Sequence, residues 1–382
     1  MLSFRSAGES HGPAIVALLE GFPAGFAPDL AAIDADLARR QGGFGRSSRM
    51  RLEQDRVEFV GGLVRGLTTG APLVLRVANR DTSLAEKPPI HRPRPGHADL
   101  AGAYKYLTDD ARPILERASA RETCARVAAG SLCAQLLSQQ RITTAAWVDG
   151  IAGVAAEIDP EDDLRKIAAA RAKSRVACPD LVLSRAMEAA ISAAGAAGDS
   201  VGGTFVVVAD GVPPGLGSCA QWDERIDGRL GQALLSIPAV KGVELGLGFE
   251  LARRRGSESH DLIRFGRRGR FGAIIRGSNR AGGIEGGMTN GERIVVRAAM
   301  KPIATLRRPL ESVDLRRKSK CVAAFERADV CAVPAASVIG EAMVRLELLR
   351  AFLGKFGGDT VVELATNFKA WRRLAAHRFA KS

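Results

Sequence analysis

The sequence of 382 residues predicts an α+β fold built in layers. Its predicted strands and helices follow one another in mixed order rather than in strict alternation, and no Gly-x-Gly-x-x-Gly motif follows a strand. Both observations disfavour a nucleotide-binding parallel sheet. Hydrophobic residues make up 46% of the chain and charged residues 25%, as in most globular proteins. The length corresponds to one large domain or two ordinary ones.

Helical periodicity marks several segments. In residues 28–40 the apolar side chains Leu30, Ile33 and Leu37 fall on one face, and two glycines end the pattern. Residues 119–140 begin with Ser119-x-x-Glu122, which is the capping-box pattern of a helix N-terminus. Further helices are predicted over residues 163–173, 181–194, 223–236 and 337–352.

Short apolar runs predict the strands. Residues 57–60 and 73–77 are rich in valine and leucine, and turn segments with glycine and proline separate them. Residues 204–209 and 294–298 are rich in valine, and the segment Gly-Val-Pro-Pro-Gly ends the first of these runs.

The net charge of +13 restricts the class of partner. Residues 253–270 carry seven arginines against two carboxylates, and residues 301–320 carry seven lysines and arginines against two carboxylates. Nucleic acid, an anionic membrane surface and a small polyanion are all compatible with such charge. Aromatic residues are only 5% of the chain, which disfavours base stacking. The arginines of residues 253–270 lie beside glycines, which favours an anion-binding loop.

Other broad classes are disfavoured. No apolar run approaches the roughly 18 residues of a membrane span, and no basic segment followed by an apolar one marks a secretory signal. The six cysteines form no Cys-x-x-Cys pair, so we expect no zinc or redox motif. Sparse cysteine fits a reducing cytoplasm, and each cysteine is interpreted as a buried apolar residue.

Two of the five histidines lie in unusual segments. His11 is within Gly8-Glu-Ser-His-Gly12, and His97 follows Pro95-Gly96. Glycine and proline hold the backbone around each imidazole, as suits a group that transfers protons near neutral pH. A solvent-exposed turn histidine is the alternative, and it is our interpretation of His91, His260 and His377.

Three further segments are candidate ligand sites. Residues 39–49 carry arginines in glycine-rich loops, which suit phosphate and carboxylate groups, although a solvated basic loop is equally compatible. Residues 116–122 open a predicted helix with Arg117, Ser119 and Arg121, where free N–H groups favour an anion. Residues 281–291 hold five glycines, which favours close backbone approach to a flat ligand or a plain surface hairpin.

These segments, with several others, resemble one family, the chorismate synthases. The matches occur in family order from about residue 1 to residue 350. They are Gly8-Glu-Ser-His-Gly12 and the segments 94–101, 116–130, 199–203, 236–244, 281–291 and 301–305.

The resemblance implies a β-α-β sandwich in a single domain over residues 1–382, with long helices between two antiparallel sheets. It implies a cytoplasmic homotetramer of the shikimate pathway of aromatic amino acid biosynthesis. The family reaction is the 1,4-anti elimination of phosphate and a ring proton from 5-enolpyruvylshikimate 3-phosphate, giving chorismate. The reaction requires reduced FMN without net redox change, with NADPH as an indirect reductant. Partners other than a small-molecule substrate, such as nucleic acid or membrane, are not expected.

The same resemblance assigns roles by position. His11 protonates the leaving phosphate, His97 keeps its charge beside the reduced flavin, and Asp329 assists removal of the ring proton. The substrate-binding arginines are Arg40, Arg46, Arg49, Arg94 and Arg121. The flavin-binding residues are Arg117, Ala118, Ser119, Pro238, Ala239, Gly286, Lys301, Pro302, Ile303, Ala304, Thr305 and Arg327. No metal ligand is implied.

The chain departs from the family pattern at four places. The usual Arg-His/Ser-Asp-Pro-Cys segment is Arg327-Ala-Asp-Val-Cys331, and Ala335 stands where an arginine is common. Ser47 replaces a glycine, and Pro238 replaces a frequent asparagine. These positions leave two alternatives open, lower activity or a divergent branch of the family.

Overall fold

A computed structural model describes residues 1–46, 54–326 and 329–380. Its strands are β1 (Ser3–Ala7), β2 (Ala14–Glu20), β3 (Val57–Gly61), β4 (Leu63–Val64), β5 (Leu67–Thr68), β6 (Leu73–Ala78), β7 (Thr143–Ile151), β8 (Val154–Ala155), β9 (Gly203–Asp210), β10 (Val240–Leu245), β11 (Ile263–Gly269), β12 (Gly272–Arg276), β13 (Ile284–Glu285), β14 (Met288–Thr289), β15 (Ile294–Met300), β16 (Glu311–Asp314) and β17 (Ser319–Val322). Its helices are α1 (Leu30–Gln41), α2 (Asp99–Tyr106), α3 (Arg112–Arg117), α4 (Thr123–Gln139), α5 (Leu164–Ala172), α6 (Leu181–Ala196), α7 (Ile226–Leu235), α8 (Gly256–Ser259), α9 (Val333–Phe356) and α10 (Val361–Arg378).

Two antiparallel sheets form the outer layers. The four-stranded sheet has the order β1-β2-β6-β3, and the five-stranded sheet has the order β10-β15-β9-β7-β8. In the first, Val16 of β2 pairs with Ala7 of β1 and with Arg76 of β6. In the second, Val207 of β9 pairs with Val296 of β15 and with Ala146 of β7. All four predicted strands are confirmed, two in each sheet.

Long helices fill the space between the sheets. Helix α4 packs on β2 and β6, α9 packs on β7 and β9, and the two helices pack on each other. Both are buried on most sides, as expected for helices covered by sheets. A Cβ atom at Gly130 would overlap the backbone of Ala342, so this glycine permits the close approach of α4 and α9. The α+β fold with long helices between two antiparallel sheets is confirmed.

The predicted helices form with shifted ends. The helix predicted over residues 28–40 is α1, which begins after Asp29 because the Asp29 carboxylate accepts hydrogen bonds from the backbone N–H groups of Ala31 and Ala32. The segment predicted over residues 223–236 becomes helical only at Ile226, after a 3₁₀ turn. Helix α9 extends the predicted 337–352 helix at both ends.

The predicted capping box at residues 119–122 is wrong. Ser119 Oγ accepts from the backbone N–H of Arg121, but residues 120–122 form a 3₁₀ turn and α4 begins at Thr123. Glu122 does not cap the turn, because its carboxylate accepts from Ser6 Oγ at 2.6 Å and from Arg126. A capping box does form at the start of α10, between Thr360 and Glu363.

The cysteines agree only partly with the prediction. Cys124, Cys133, Cys178 and Cys331 are buried, and burial raises the pKa of each thiol above its ordinary value. The prediction is wrong for Cys219, which is exposed, and Cys321 is only partly buried.

Among the described residues, no helix is long and apolar enough to cross a membrane.

Candidate active site

A cavity of about 860 Å³ opens where the four-stranded sheet, the buried helices and the turns that leave the five-stranded sheet meet. Its wall is built by the loop between β1 and β2, the end of α1, the loop before α2 and the junction of α3 with α4. The turn between α7 and β10, residues 300–305 and the start of α9 complete it. The lining therefore comes from segments distant in sequence.

The cavity is strongly cationic. Its described lining includes eight lysine and arginine side chains against three carboxylates, Glu122, Glu326 and Asp329. The eight cations are Arg5, Arg40, Arg46, Arg94, Arg117, Arg121, Arg126 and Lys301. Positive groups from several directions around a partly enclosed cavity concentrate small anions. The predicted anion-binding loop at residues 253–270 is not part of this cavity, because none of its described side chains lines it.

His11 is buried in this wall and held by a carboxylate. Its Nδ1 lies 2.9 Å from Glu116 Oε2 and 3.0 Å from Oε1, and its backbone N–H donates to Oε2 at 3.0 Å. The other ring nitrogen, Nε2, lies 3.7 Å from Asp81 Oδ2, beyond hydrogen-bond distance. Burial works to raise the pKa of Glu116, but the hydrogen bond and charge of His11, with Arg112, outweigh it and hold that pKa below its ordinary value.

His97 has a parallel arrangement. Its Nδ1 lies 2.5 Å from Asp99 Oδ1, and Arg94 donates to the same carboxylate through Nε at 2.8 Å and Nη2 at 3.1 Å. Burial works to raise the pKa of Asp99, but the hydrogen bonds from His97 and Arg94 outweigh it and leave that pKa far below its ordinary value. Arg94 also donates to Thr305 Oγ1 at 2.9 Å, so one ionised cluster joins two predicted site segments.

Arg40 and Arg121 share one buried carboxylate. Arg40 Nη2 donates to Asp55 Oδ2 at 2.5 Å, and Arg121 Nη1 pairs with Oδ1 of the same residue. Arg121 Nε also donates to Asn79 Oδ1 at 2.6 Å. Both guanidinium groups line the cavity, whereas Asp55 lies behind them and is not among the lining residues. Asp55 therefore holds both arginines at the wall of the cavity.

Arg46 and Asp329 meet across the cavity wall. Arg46 Nη1 donates to Asp329 Oδ2 at 2.6 Å. Burial lowers the pKa of Arg46, and the Asp329 charge only partly offsets that effect. The Nε atoms of Arg40 and Arg46 are buried and have no hydrogen-bond partner among the described residues. A buried donor without a partner is costly, so an acceptor on a ligand would stabilise this wall.

The remaining predicted residues divide into three groups. Those that line the cavity are Arg117, Ala118, Ser119, Pro238, Ala239, Lys301, Ile303, Ala304 and Thr305. Gly286 and Pro302 do not line it: Gly286 lies in the β13–β14 hairpin, which agrees with the surface-hairpin alternative, and Pro302 is exposed between two lining residues. Arg49 and Arg327 lie outside the described residues.

Two of the positions that depart from the family pattern, Ala335 and Pro238, line the cavity. Ala335 lies on the first turns of α9, where Ala332, Ala336, Ile339 and Met343 add an apolar wall opposite the cationic loops. A site with one apolar wall and many cations suits a ligand with a flat ring and anionic groups.

Sequence reasoning missed several lining and supporting residues. Arg5 and Arg126 line the cavity, and Glu116, Asp99 and Asp55 hold its histidines and arginines. The Arg94-to-Asp99 motif contained a signal for Asp99, because its carboxylate follows His97 by two residues. For Asp55 no local signal existed, since its importance depends on Arg121, 66 residues away.

The described residues contain no metal-ligating cluster.

The fold and cavity define an α+β protein with an interior cationic site for a small anionic ligand. A sequence model of the family described as chorismate synthase matches residues 2–353. The chorismate synthase of Desulforudis audaxviator is 53% identical over 392 residues, with 99% of each chain covered. That of Symbiobacterium thermophilum is 51% identical over 395 residues, covering 99% of this chain and all of the relative. A crystal structure of chorismate synthase superposes with a TM-score of 0.79 at 39% identity, covering 98% of both chains. The chain belongs to the chorismate synthase family of lyases.

Proposed function

We propose that the chain converts 5-enolpyruvylshikimate 3-phosphate to chorismate by 1,4-anti elimination of phosphate and a ring proton. The observation that carries the proposal is the cationic cavity with two histidines, each bonded through Nδ1 to a buried carboxylate. The substrate carries a phosphate and two carboxylates, so it needs several cations and a proton donor in one enclosed site.

The arginines of the cavity would bind the anionic groups of the substrate. Arg40 and Arg121 are fixed by Asp55, and Arg46 is fixed by Asp329, so their positions are set before the substrate arrives. A preorganised cation loses little conformational freedom on binding. The Nη groups of these arginines are the donors that would meet an incoming phosphate or carboxylate oxygen. We assign Arg94 a supporting role, because Asp99 and Thr305 occupy its guanidinium.

His11 would donate a proton to the leaving phosphate. The phosphate gains negative charge as its C–O bond breaks, so an acid at that oxygen lowers the barrier. Glu116 accepts a hydrogen bond from Nδ1, and Nε2 remains for the substrate. Asp329, which lines the cavity and accepts a hydrogen bond from Arg46, would assist removal of the ring proton.

We propose that the same cavity binds reduced FMN beside the substrate. Residues 117–119, Pro238, Ala239, Lys301 and residues 303–305 would hold the flavin, with the apolar start of α9 as one face. When bound, reduced FMN supplies electron density to the substrate transiently and recovers it, so no net redox change occurs. His97, whose Nδ1 lies 2.5 Å from Asp99 Oδ1, would keep its charge beside the flavin, as the family resemblance implies. NADPH would act only indirectly, by supplying the electrons that reduce the flavin.

Several broader expectations belong to the same proposal. We propose that residues 1–382 act as a single domain, because one cluster of buried apolar residues extends from Leu2 to Phe368. We further propose a homotetramer in the cytoplasm that uses no nucleic-acid or membrane partner.

A turnover assay tests the proposal. Purified protein, substrate and reduced FMN should produce the absorbance of chorismate, and the same mixture with oxidised FMN should not. A non-catalytic relative that kept only the anion site would bind the substrate in calorimetry without forming chorismate. A nucleic-acid-binding protein would shift DNA or RNA in a gel and give neither signal.

A further inference from the structure

Glu116 lies behind the cavity wall rather than in it. The residue is 2% exposed and is not among the lining residues, whereas its neighbours Leu115 and Arg117 are. Its two oxygens accept from two donors of the same residue, the backbone N–H and Nδ1–H of His11. The backbone carbonyl of Glu116 accepts from the Ser10 N–H at 3.1 Å. Helix α3 therefore clamps the loop that carries His11.

The clamp also determines which ring nitrogen holds the proton of neutral His11. A carboxylate that is ionised accepts and cannot donate, so Nδ1 must carry the proton that bonds to it. Nε2 is then left as the nitrogen that donates when the ring is charged and accepts when it is neutral. We propose that Glu116 is a positioning residue whose carboxylate keeps a proton on His11 Nδ1 and thereby reserves Nε2 for the leaving phosphate.

An amide is a poor replacement for this carboxylate. Oε2 lies 3.0 Å from the backbone N and 2.9 Å from Nδ1 of His11, so an amide oxygen there could still accept from both donors. The amide NH₂ would then stand in the place of Oε1, which lies 3.0 Å from Nδ1, and the negative charge would be lost. Arg112 holds the carboxylate from the other side, with Nη1 at 3.4 Å from Oε1, and its Nη2 donates to Glu326 at 3.0 Å. Carboxylate and guanidinium both lie in α3, four residues apart, so the helix sets their spacing.

The charged groups around the imidazole come from two segments. Glu116 and Arg112 belong to α3, and Asp81 follows β6. Glu116 and Asp81 favour the imidazolium, whereas Arg112 opposes it from behind Glu116. Removal of the Glu116 charge alone leaves the ring facing one carboxylate at 3.7 Å and one arginine. The role given to Nε2 rests on the proposed function, but the tautomer of His11 does not.

Nitrogen NMR of the ligand-free, full-length protein tests the tautomer. Histidine-selective ¹⁵N labelling gives signals from five residues, and His11→Ala assigns one set. Neutral His11 should carry its proton on Nδ1. In Glu116→Gln the Nδ1–H form should lose its dominance, because the ionised acceptor that holds the proton on Nδ1 is gone. A wild-type His11 protonated at Nε2 overturns the proposal, even if the variant fails to fold.

Kinetics supply the second readout. Glu116→Gln should lower kcat about tenfold or more with little change in KM. The basic limb of the kcat–pH profile should also move to lower pH, because the His11 imidazole loses the carboxylate that favours its protonated form. Glu347→Gln is the matched control, since Glu347 is also buried and paired with an arginine, Arg350, on α9. It should keep the wild-type profile.

The two proposals fail in different ways. An unchanged kcat and basic limb in Glu116→Gln would overturn the positioning role while wild-type turnover still supports the proposed function. If the wild-type protein forms no chorismate, the proposed function fails, and the NMR experiment still decides what Glu116 does to His11.

Discussion

Replacement of Asp55 by asparagine should destabilise the protein strongly. The Asp55 carboxylate is fully buried and is shared by Arg40 and Arg121, whose side chains are 3% and 6% exposed. The amide of Asp55→Asn offers one acceptor oxygen, so one guanidinium would face an NH₂ group, and the negative charge that Asp55 shares between the two would be lost. Loss of one partner of a buried ion pair typically costs about 3–5 kcal/mol. We expect the free energy of unfolding to fall by about that amount.

Chemical denaturation at pH 7 measures this loss, and an added anion tests its cause. Inorganic phosphate should raise the denaturation midpoint of Asp55→Asn more than that of wild type, because an anion in the cavity replaces part of the lost charge. Asp34→Asn is the control, since Asp34 pairs with the largely exposed Arg56 and should lose no more than about 1 kcal/mol. If Asp55→Asn were as stable as this control, the account of Arg40 and Arg121 as one buried charge cluster would be wrong.

Further predictions concern substrate binding, proton transfer and acid stability. Arg46→Ala should weaken substrate binding by about 2 kcal/mol or more, and an unchanged KM and kcat would remove Arg46 from the site. His11→Ala and His97→Ala should each lower turnover by about tenfold or more in folded protein, whereas the exposed His260→Ala should not; equal losses in all three would indicate general destabilisation. The pKa of Asp99 is lower in the folded protein than its ordinary value of 3.8, so its contribution to stability is lost as pH falls. This loss begins only near the ordinary value of 3.8 and continues below it, so unfolding measured from pH 5 to pH 2 should show a steeper loss for wild type than for Asp99→Asn. Equal slopes would contradict the ionised cluster. Light scattering should report a particle of about four chains of 40.4 kDa, and a monodisperse monomer would contradict the proposed tetramer.

Local patterns in the sequence predicted the strands better than the ends of the helices. The valine-rich runs within β9 and β15 suit central strands that are covered by a helix layer, and both strands lie in the interior of their sheet. Strand β1 has the sequence Ser-Phe-Arg-Ser-Ala and is an edge strand, so its residues lack such a run and it was not predicted.

Helix ends depended on tertiary contacts. Ser119-x-x-Glu122 satisfies the capping pattern, yet Ser6 and Arg126 occupy the Glu122 carboxylate, and only the folded chain brings Ser6 there. The ends of α9 did have local signals, because Pro334 stands in its first turn and Gly357 follows its last residue with φ of 62°. Thr360-x-x-Glu363 likewise marked α10, which was not predicted.

The candidate site was predictable in its chemistry but not in its supports. Glycine and proline around His11 and His97 pointed to fixed imidazoles, and the structure places both in one cavity. The partner of His11 is 105 residues away, and the carboxylate that joins Arg40 to Arg121 is 66 residues from Arg121. The packing of α4 against the four-stranded sheet and the contact of α3 with the loop between β1 and β2 bring these pairs together.

The most direct test of the central claim is the stoichiometry of turnover with very little flavin. Under anaerobic conditions, substrate in about hundredfold excess over reduced FMN and enzyme should be converted fully, with one phosphate released per chorismate formed. The flavin should remain reduced at the end, because the proposed elimination has no net redox change. Conversion that stops after one equivalent of reduced FMN, or phosphate release without chorismate, would contradict the account.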